Sequence, residues 1–346
     1  MLLFIVGLYL SIFDKEQDKK DQSIMMDERG QFQNMPLENK SNEGVKTEGL
    51  FQLIGQDTNQ LVEMLGEPNR IDLSHYGYHW WVYNDNHKNY VQVGIEKDKV
   101  VTFFAIGEKL NIKPFYIGQP IGEIYSSYFI PSLLEFNYQD QEYLFELSEE
   151  DINVHPIIQL GEVYVQLYMD KYTGTLSSIR VMDVSTLLKI KPFAYRGEYN
   201  GEFKQERSIV DQSKLQKALK LQIFDLTNIY RKRFEVHSLQ WNEELSEDAY
   251  TRSVELVETD QNNYNQQMGQ GESFEMDDDH QLFLYFLEGE NIAVHNLDAP
   301  FIVEGWFNSM IHRENMLNKD YKETGIGIYQ NYFVQKFSPV DERKEE

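Results

Sequence analysis

The sequence predicts an α+β protein, in which a strand-rich N-terminal domain of two related units precedes a separate C-terminal domain of helices and strands. Three observations predict it. Ile54-Gly55-Gln56 recurs as Ile117-Gly118-Gln119, and Tyr90-Val91-Gln92-Val93 recurs as Tyr164-Val165-Gln166-Leu167, which is how a duplicated unit shows itself in a sequence. Between these markers the chain is rich in aromatic and β-branched residues punctuated by turn residues, the composition of strands. Further on, Leu215, Leu219, Ile223, Leu226 and Tyr230 recur at helical spacing, so one face of a long helix is apolar.

Composition bounds the function. At 346 residues the chain is long enough for two cores, and 22 Tyr with 21 Phe argue against wholesale disorder. A formal charge of −25 without a cluster of Lys and Arg excludes nucleic acid as a partner and disfavours anionic lipid surfaces. There is no cysteine, so disulfides and thiol catalysis are excluded, and a zinc site would have to use His and carboxylates.

In chain order, residues 1–13 are apolar and a charged segment begins at Asp14. The stretch is short for a membrane span of about twenty residues. It has the length of the apolar part of a signal sequence, without a preceding basic segment or a small-x-small cleavage site. Export or N-terminal anchoring is expected. Residues 14–48 are polar and without apolar period, which reads as a flexible tether.

Residues 49–190 form the duplicated domain, with units at about 53–113 and 114–190. Each unit opens with a short helical segment, Asp57 to Leu65 in the first, stopped by Gly66-Glu67-Pro68. Strands are expected at Tyr78 to Tyr83, Tyr90 to Ile95 and Val100 to Ala105, with Glu96 to Lys99 as a hairpin connection. Their counterparts in the second unit are Tyr143 to Leu147, Val163 to Met169 and Ser177 to Val181, with Tyr172-Thr173-Gly174 as a turn. Tyr76, Tyr78, Trp80, Trp81 and Tyr83 are read as an aromatic sheet core rather than a binding face, because strands favour these residues anyway. Residues 191–212 contain Pro192, Gly197 and Gly201 and read as a linker.

The C-terminal domain spans 213–338. Asn228 and Arg231 near the end of its first helix either edge a cleft or tie the helix to neighbouring loops. Asn242 caps a second helix beginning at Glu243, with Leu245, Ala249 and Leu256 facing inward. Asp260 to Gly271 is polar and is expected to be a loop. Asp277-Asp278-Asp279 does not alternate as calcium ligands do, so Asp279 is read as the cap of a helix from His280 to Leu287. His280 and His295 lack ligand partners at helical spacing. Asp298-Ala299-Pro300 starts one helix that runs through His312 and ends at Asn318 to Asp320. Glu323 to Ile328 and Tyr332 to Phe337 read as an antiparallel pair. Gly325 and Gly327 are expected to let this strand approach the helix bearing His312 closely.

On that helix Gly305, Ser309 and His312 would share a face at i, i+4 and i+7. Two small residues would leave a hollow beneath the imidazole, and the turn Gly289-Glu290-Asn291 could bring a carboxylate from outside the helix. Glu290 and His312 are therefore the candidate pair, with Ser309 and Asn291 beside them. A carboxylate next to histidine suits general acid/base work or metal orientation. Catalytic zinc needs three protein ligands and this pair supplies two, so a divalent metal on His312 and Glu290 is a secondary expectation. No oxyanion site or third orienting group accompanies Ser309. The pair reads equally well as fastening the turn to the helix.

Leu226 to Arg231 with its N-x-x-R pattern, Leu239 to Leu245, Gly289 to Ala293, Gly305 to Leu317, Gly325 to Ile328 and Tyr332 to Phe337 together resemble the CAP superfamily (cysteine-rich secretory proteins, antigen 5, pathogenesis-related 1) in its bacterial cysteine-free form. The N-terminal half resembles the CAP-associated N-terminal domain through its repeated IGQ, Leu65-Gly66-Glu67-Pro68 and aromatic strands. The resemblance implies an α-β-α sandwich for the C-terminal domain. It also implies that Gln267 stands where many relatives carry a cavity histidine, and Ser309 where animal and plant members carry a second glutamate. The family includes lipid binders, wall-associated and spore-associated proteins and a few proposed hydrolases, so fold underdetermines activity. The expectation is an exported or membrane-tethered envelope module, non-catalytic, that binds a peptide, glycan or lipid through a cleft of Glu290, His312, Ser309, Gln267 and Asn291. The alternative is a metal-assisted hydrolase using Glu290 and His312.

Overall fold

The chain's architecture is visible in a computed structural model that describes residues 41–196, 211–268, 283–287, 289–294 and 298–339. The expectations for residues 1–13, most of the tether, Asp277 to Asp279, His280 and His295 lie outside the described residues. No helix among the described residues is long and apolar enough to cross a membrane.

The N-terminal sheet has seven strands: β1 (Arg70–Leu73), β2 (His79–Tyr83), β3 (Val91–Glu96), β4 (Lys99–Ala105), β7 (Ile157–Leu160), β8 (Val163–Asp170) and β9 (Thr175–Met182). Their order is β1-β2-β3-β4-β9-β8-β7, all antiparallel. The two hairpins β3–β4 and β8–β9 meet in the middle, where Phe103 pairs with Val181. The repeated IGQ has the same job in both halves. Gly55 donates to Val100 O while Val100 donates to Gln56 O, and Gly118 donates to Leu176 O while Leu176 donates to Gln119 O. Both glycines lie at positive φ, 82° and 88°, which a side chain would resist. After each clip comes a helix, α1 (Thr58–Leu65) and α2 (Ile121–Ser127). Asp57 caps α1 by accepting from the amides of Asn59 and Gln60, and Gly66 ends it at φ 80°.

A second sheet, β5 (Leu133–Tyr138), β6 (Gln141–Glu146) and β10 (Ala194–Arg196), has the order β10-β6-β5. It is accompanied by α3 (Glu149–Val154) and α4 (Val184–Ile190). Three expectations change here. Tyr143 to Leu147 is not the outer strand of the second unit; β7 takes that place in the large sheet, and the longer second unit spends its extra residues on the small one. Residues 194–196 are not linker but pair with β6. The polar stretch before residue 49 is already fastened at Asn42, whose side-chain amide exchanges hydrogen bonds with the backbone of Phe129 (both 2.8 Å).

The C-terminal domain is a three-layer sandwich. Its sheet contains β11 (Gln240–Trp241), β12 (Phe283–Leu287), β13 (Glu290–Val294), β14 (Glu323–Tyr329) and β15 (Tyr332–Ser338), in the order β11-β14-β15-β13-β12. Strand alternation sorts its residues between two helix layers. Ile292, Val294, Tyr332 and Val334 pack with Ala249 and Val257 of α6 (Glu243–Met268). Ala293, Ile326, Ile328 and Phe333 pack with α5 (Gln212–Arg233), α7 (Ala299–Phe307) and α8 (Met310–Leu317).

Four expectations are corrected in this domain. The helix expected over 280–287 is strand β12 at its described residues, because the short apolar run Phe283–Leu287 has no period that separates strand from helix. The loop expected from Asp260 is helical to Met268; polar composition alone does not separate a loop from a polar helix. The helix bearing His312 is broken into α7 and α8. Ser309 turns extended at φ −107°, ψ 126°, and Asn308 spends its side chain elsewhere, accepting from Lys171 N at 3.0 Å. Gly325 and Gly327 admit α6 rather than the His312 helix: a Cβ on Gly327 would lie 2.0 Å from backbone atoms of Ala249 and Tyr250.

From Asn42 onward the chain forms one compact unit, and the two domains share a core. Tyr78, Trp80, Tyr90, Phe104 and Tyr168 of the large sheet pack with Leu215, Ile223 and Tyr230 of α5 and with Ile302, Trp306 and Phe307 of α7. The large sheet is therefore buried on both faces, which explains runs such as Val100 to Ala105 with no polar alternation. Buried charges cross the same junction. Arg180 reaches Asp298 (2.9 Å), and Arg313 grips Asp170 with two bonds of 3.0 Å. Glu304 accepts hydrogen bonds from Ser178 and Tyr230, and burial holds its carboxyl pKa above the usual value.

Candidate functional site

Gly289 (φ 79°) turns the chain from β12 into β13, and β13 then sends successive side chains to opposite faces. Glu290 goes with Ile292 and Val294 toward α6, where its carboxylate lies 3.5 Å from Arg252 Nε. Asn291 goes the other way and donates to His312 O at 3.2 Å. Asn315, one turn along α8, donates to Glu290 O and Asn291 Oδ1 (3.1 Å each) and accepts from Gly289 N at 3.2 Å. The turn is thus fastened to α8 by two asparagines. Among the described residues, no hydrogen bond or ion pair links the Glu290 carboxylate to the His312 ring.

His312 is held from its own helix start. Ser309 precedes α8, and its Oγ is 2.8 Å from His312 Nδ1. The imidazole and Asn291 are wholly buried at 0 %, and solvent barely reaches Asn315 at 6 % and Glu290 at 7 %. The set brought together is therefore Asn291, Ser309, His312 and Asn315, with Glu290 paired separately to Arg252. Gln267 lies within α6, near its end.

Among the described residues of this set, Glu290 and His312 are the groups of metal-ligand type, and a guanidinium lies 3.5 Å from the carboxylate, where a cation would meet like charge. Among the described residues no group of three His, Asp or Glu forms a cluster that could hold a metal.

Asn315, Arg252 and Arg313 were missed by sequence reasoning. Asn315 was findable, since it falls three residues after His312 on the same helix face. Asn228 and Arg231 prove to be ties. Asn228 exchanges hydrogen bonds with the backbone of Leu239 (2.7 and 3.2 Å), and Arg231 donates to the carbonyls of His237, Met316, Asn318 and Tyr321. Surrounded by neutral acceptors, the Arg231 guanidinium is pulled down by burial to a pKa of about 10.

Helices on both faces of a sheet that is antiparallel except for the β11–β14 pair, a Gly-Glu-Asn turn pinned to the helix that carries His312, and a buried N-x-x-R arginine define a CAP-type sandwich with a strand-rich partner domain. Comparison with known proteins agrees: the chain belongs to the cysteine-rich secretory protein (CAP) family. Residues 224–338 match the family model described as Cysteine-rich secretory protein family, and residues 54–193 match the one described as CAP-associated N-terminal. The uncharacterized membrane protein YlbC of Bacillus subtilis (strain 168) is 37% identical over 342 residues, covering 97% of this chain and 96% of that protein. The uncharacterized protein YkwD of the same organism is 30% identical over 115 residues, 33% of this chain and 44% of its own length. A crystal structure of an extracellular protein containing a SCP domain from Bacillus anthracis str. Ames superposes with a TM-score of 0.71 at 30% identity, over 85% of this chain and 96% of that one. A cysteine-rich secretory protein from Staphylococcus aureus subsp. aureus Mu50 gives 0.68 at 25% identity, over 86% and 94%.

Proposed function

We propose that this chain is a non-catalytic interaction module held at the cell envelope, its two domains presenting binding surfaces at a fixed spacing. The observation that carries the reading is the commitment of the candidate groups. Glu290 faces Arg252, His312 has no solvent-exposed surface and lies against Ser309, and the turn between them is stapled by Asn291 and Asn315. An imidazole that solvent does not reach is poorly placed to shuttle protons to a substrate. A peptide, glycan or lipid would meet the rim of this polar cleft at Glu290, with His312, Ser309 and Asn291 shaping it from beneath. Gln267 is carried as a further cleft residue on family likeness alone. Location at the envelope is supported by the name of the long B. subtilis relative, a membrane protein, and by the extracellular B. anthracis neighbour.

The test has two arms. The purified chain should sediment with isolated B. subtilis envelope fragments and should leave peptide and glycan substrates uncleaved with or without added zinc or manganese. If the chain stays in solution, the envelope reading is wrong. If a divalent ion switches on cleavage that Glu290→Gln or His312→Gln abolishes without lowering the melting temperature, the metal-assisted hydrolase takes its place.

A further inference from the structure

We propose that the groove between two hairpin tips of the N-terminal domain binds an acidic carbohydrate, a sugar chain carrying carboxylate or phosphate groups. The groove encloses about 580 Å³, the size of a site for one or a few sugar rings. One wall is the end of hairpin β3–β4, with Lys97 and Lys99; the other is the end of hairpin β5–β6, with Tyr138, Gln139 and Gln141; Lys189 of α4 closes it. Both tips are built alike. Lys97 and Asp98 lie at φ 49° and 59°, and Gln139 and Asp140 at 51° and 60°, the paired left-handed residues of tight two-residue turns. Such tips are stiff, so the walls are preformed.

Charge identifies the ligand's sign. The chain carries 57 acidic and 32 basic residues, yet this groove is lined by three lysines and one carboxylate, Glu96. Glu96 is taken by Lys189. Lys97 and Lys99 are exposed, and neither forms a salt bridge with any acidic group among the described residues. Lys97 and Lys99 thus line the groove without a salt-bridge partner among the described residues, while the exposed carboxylates of the two tips, Asp98 and Asp140, are not part of its lining, so positive charge is turned inward in a protein whose field would otherwise repel anions.

The remaining lining identifies the ligand's body. Tyr143 donates to Gln141 Oε1 at 2.9 Å, and Gln139 Nε2 donates to Tyr138 at 3.3 Å. Each pair leaves the opposite amide end without a hydrogen bond among the described residues, a donor at Gln141 Nε2 and an acceptor at Gln139 Oε1. A separated donor and acceptor beside a tyrosine ring match the hydroxyls and flat face of a sugar. A peptide strand would instead need a free sheet edge, and this groove is bounded by turns. The first repeat unit has no counterpart, because the small sheet that supplies Tyr138 to Tyr143 belongs to the second unit alone.

Titration calorimetry of the full chain at low salt tests the proposal with oligogalacturonate, a mannose oligosaccharide carrying phosphate groups, inorganic phosphate, maltohexaose and oligoglutamate. One of the two charged polyhydroxy ligands should bind, and which one does assigns carboxylate or phosphate; maltohexaose and oligoglutamate should not. Lys97→Asn, which tolerates the left-handed backbone, combined with Lys99→Gln should weaken that binding about tenfold or more by removing two charge-assisted contacts. The melting temperature should not move, and Lys217→Gln on the exposed face of α5 should bind as the wild type. The proposal is overturned if neither charged oligosaccharide binds, if inorganic phosphate or oligoglutamate binds as well as they do, or if the lysine variant binds unchanged. The groove is independent of the Gly-Glu-Asn turn, so its failure leaves the preceding reading where it stands.

Discussion

The most demanding prediction concerns Asp170, at the end of β8, where the N-terminal domain holds α8. Its carboxylate is 3 % exposed and Arg313 is 8 % exposed. The two form parallel bonds of 3.0 Å. The same carboxylate accepts from the amides of Tyr172 and Thr173 (3.0 and 3.3 Å) and from Thr173 Oγ1 (2.8 Å). Asp170→Asn keeps an acceptor for the turn amides, but removes the charge and points an amide donor at a guanidinium. Stranding one partner of a buried ion pair costs about 3 to 5 kcal/mol. Arg313 retains its bond to Phe307 O (3.1 Å) and its stack on the Phe307 ring at 3.8 Å, so its charge is not wholly stranded and the loss falls at the low end of that range. The net loss is therefore about 3 kcal/mol, or roughly 6 °C of melting temperature at about 2 °C per kcal/mol for a unit of this size.

Differential scanning calorimetry reads this directly, and a double-mutant cycle isolates the pair. Arg313→Met alone should cost less than Asp170→Asn, because Asp170 keeps three donors from its own turn. The double variant should lose less than the sum of the singles by about 2 kcal/mol. Additive losses, or an Asp170→Asn melt within about 1 °C of wild type, would refute the claim that this pair joins the domains. Two separate transitions in the wild type would refute the shared core itself.

Three further outcomes follow from the same geometry. Glu304 has its pKa raised from 4.5 by burial, so its contribution to stability is complete below pH 4.5 and is lost as pH rises through the higher folded value. Glu304→Gln keeps the Oε1 acceptor and removes that loss, so the urea midpoint of the variant relative to wild type should climb above pH 4.5; a gap flat with pH would show the sign to be wrong. Asn315→Ala removes the bonds to Gly289 N, Glu290 O and Asn291 Oδ1, which should cost about 2 to 3 kcal/mol and speed hydrogen exchange at the Gly289 amide, with unchanged exchange counting against the staple. Gly327→Ala places a Cβ 2.0 Å from the backbone of α6, where no side chain can swing aside, and should destabilise by about 3 kcal/mol in denaturant titration; a mild effect would mean that α6 rides higher on the sheet.

Much of the fold was legible because local chemistry leaves local marks. The repeated IGQ survives in both units since each copy makes the same two backbone bonds to its hairpin with glycine at positive φ. Asn242 could be read as a cap because a short acceptor before a helix has one obvious use, and it accepts from the Leu245 amide; Asp57 and Asp298, read only as the places where helices begin, cap them in the same way through the amides of Asn59 and Phe301. What failed was of two kinds. The short apolar run Phe283–Leu287 has no period that fixes its element type, and the break at Asn308 and Ser309 within Ala299–Leu317 goes with a side-chain contact outside the helix, from Asn308 to the Lys171 amide. Arg313 with Asp170, and Arg180 with Asp298, are separated by 143 and 118 residues, and no spacing rule reaches that far. The direction of Glu290 was readable and went unused: with Asn291 and Ile292 following it in a strand, Glu290 and Asn291 had to face opposite ways.

The position of the buried charges bears on how the molecule works. Asp298, Glu304 and Arg313 are the charged groups of the α7–α8 pair that meet the N-terminal sheet, and their partners Arg180, Ser178 and Asp170 all lie on the β8–β9 hairpin. On its other side the same helix pair is tied to β13 through Asn291 and Asn315. A helix gripped from both sides by bonds costly to break singly cannot slide to pass a signal from one domain to the other. Removing the N-terminal domain would take away the Arg180, Ser178 and Asp170 partners of those groups and uncover Phe307, Leu219 and Ile223. The C-terminal sandwich expressed from residue 211 should therefore be poorly soluble or loosely packed by near-ultraviolet circular dichroism. If it instead proves as rigid alone as within the full chain, the two domains are neighbours rather than one device, and the fixed spacing that the proposed function relies on is absent.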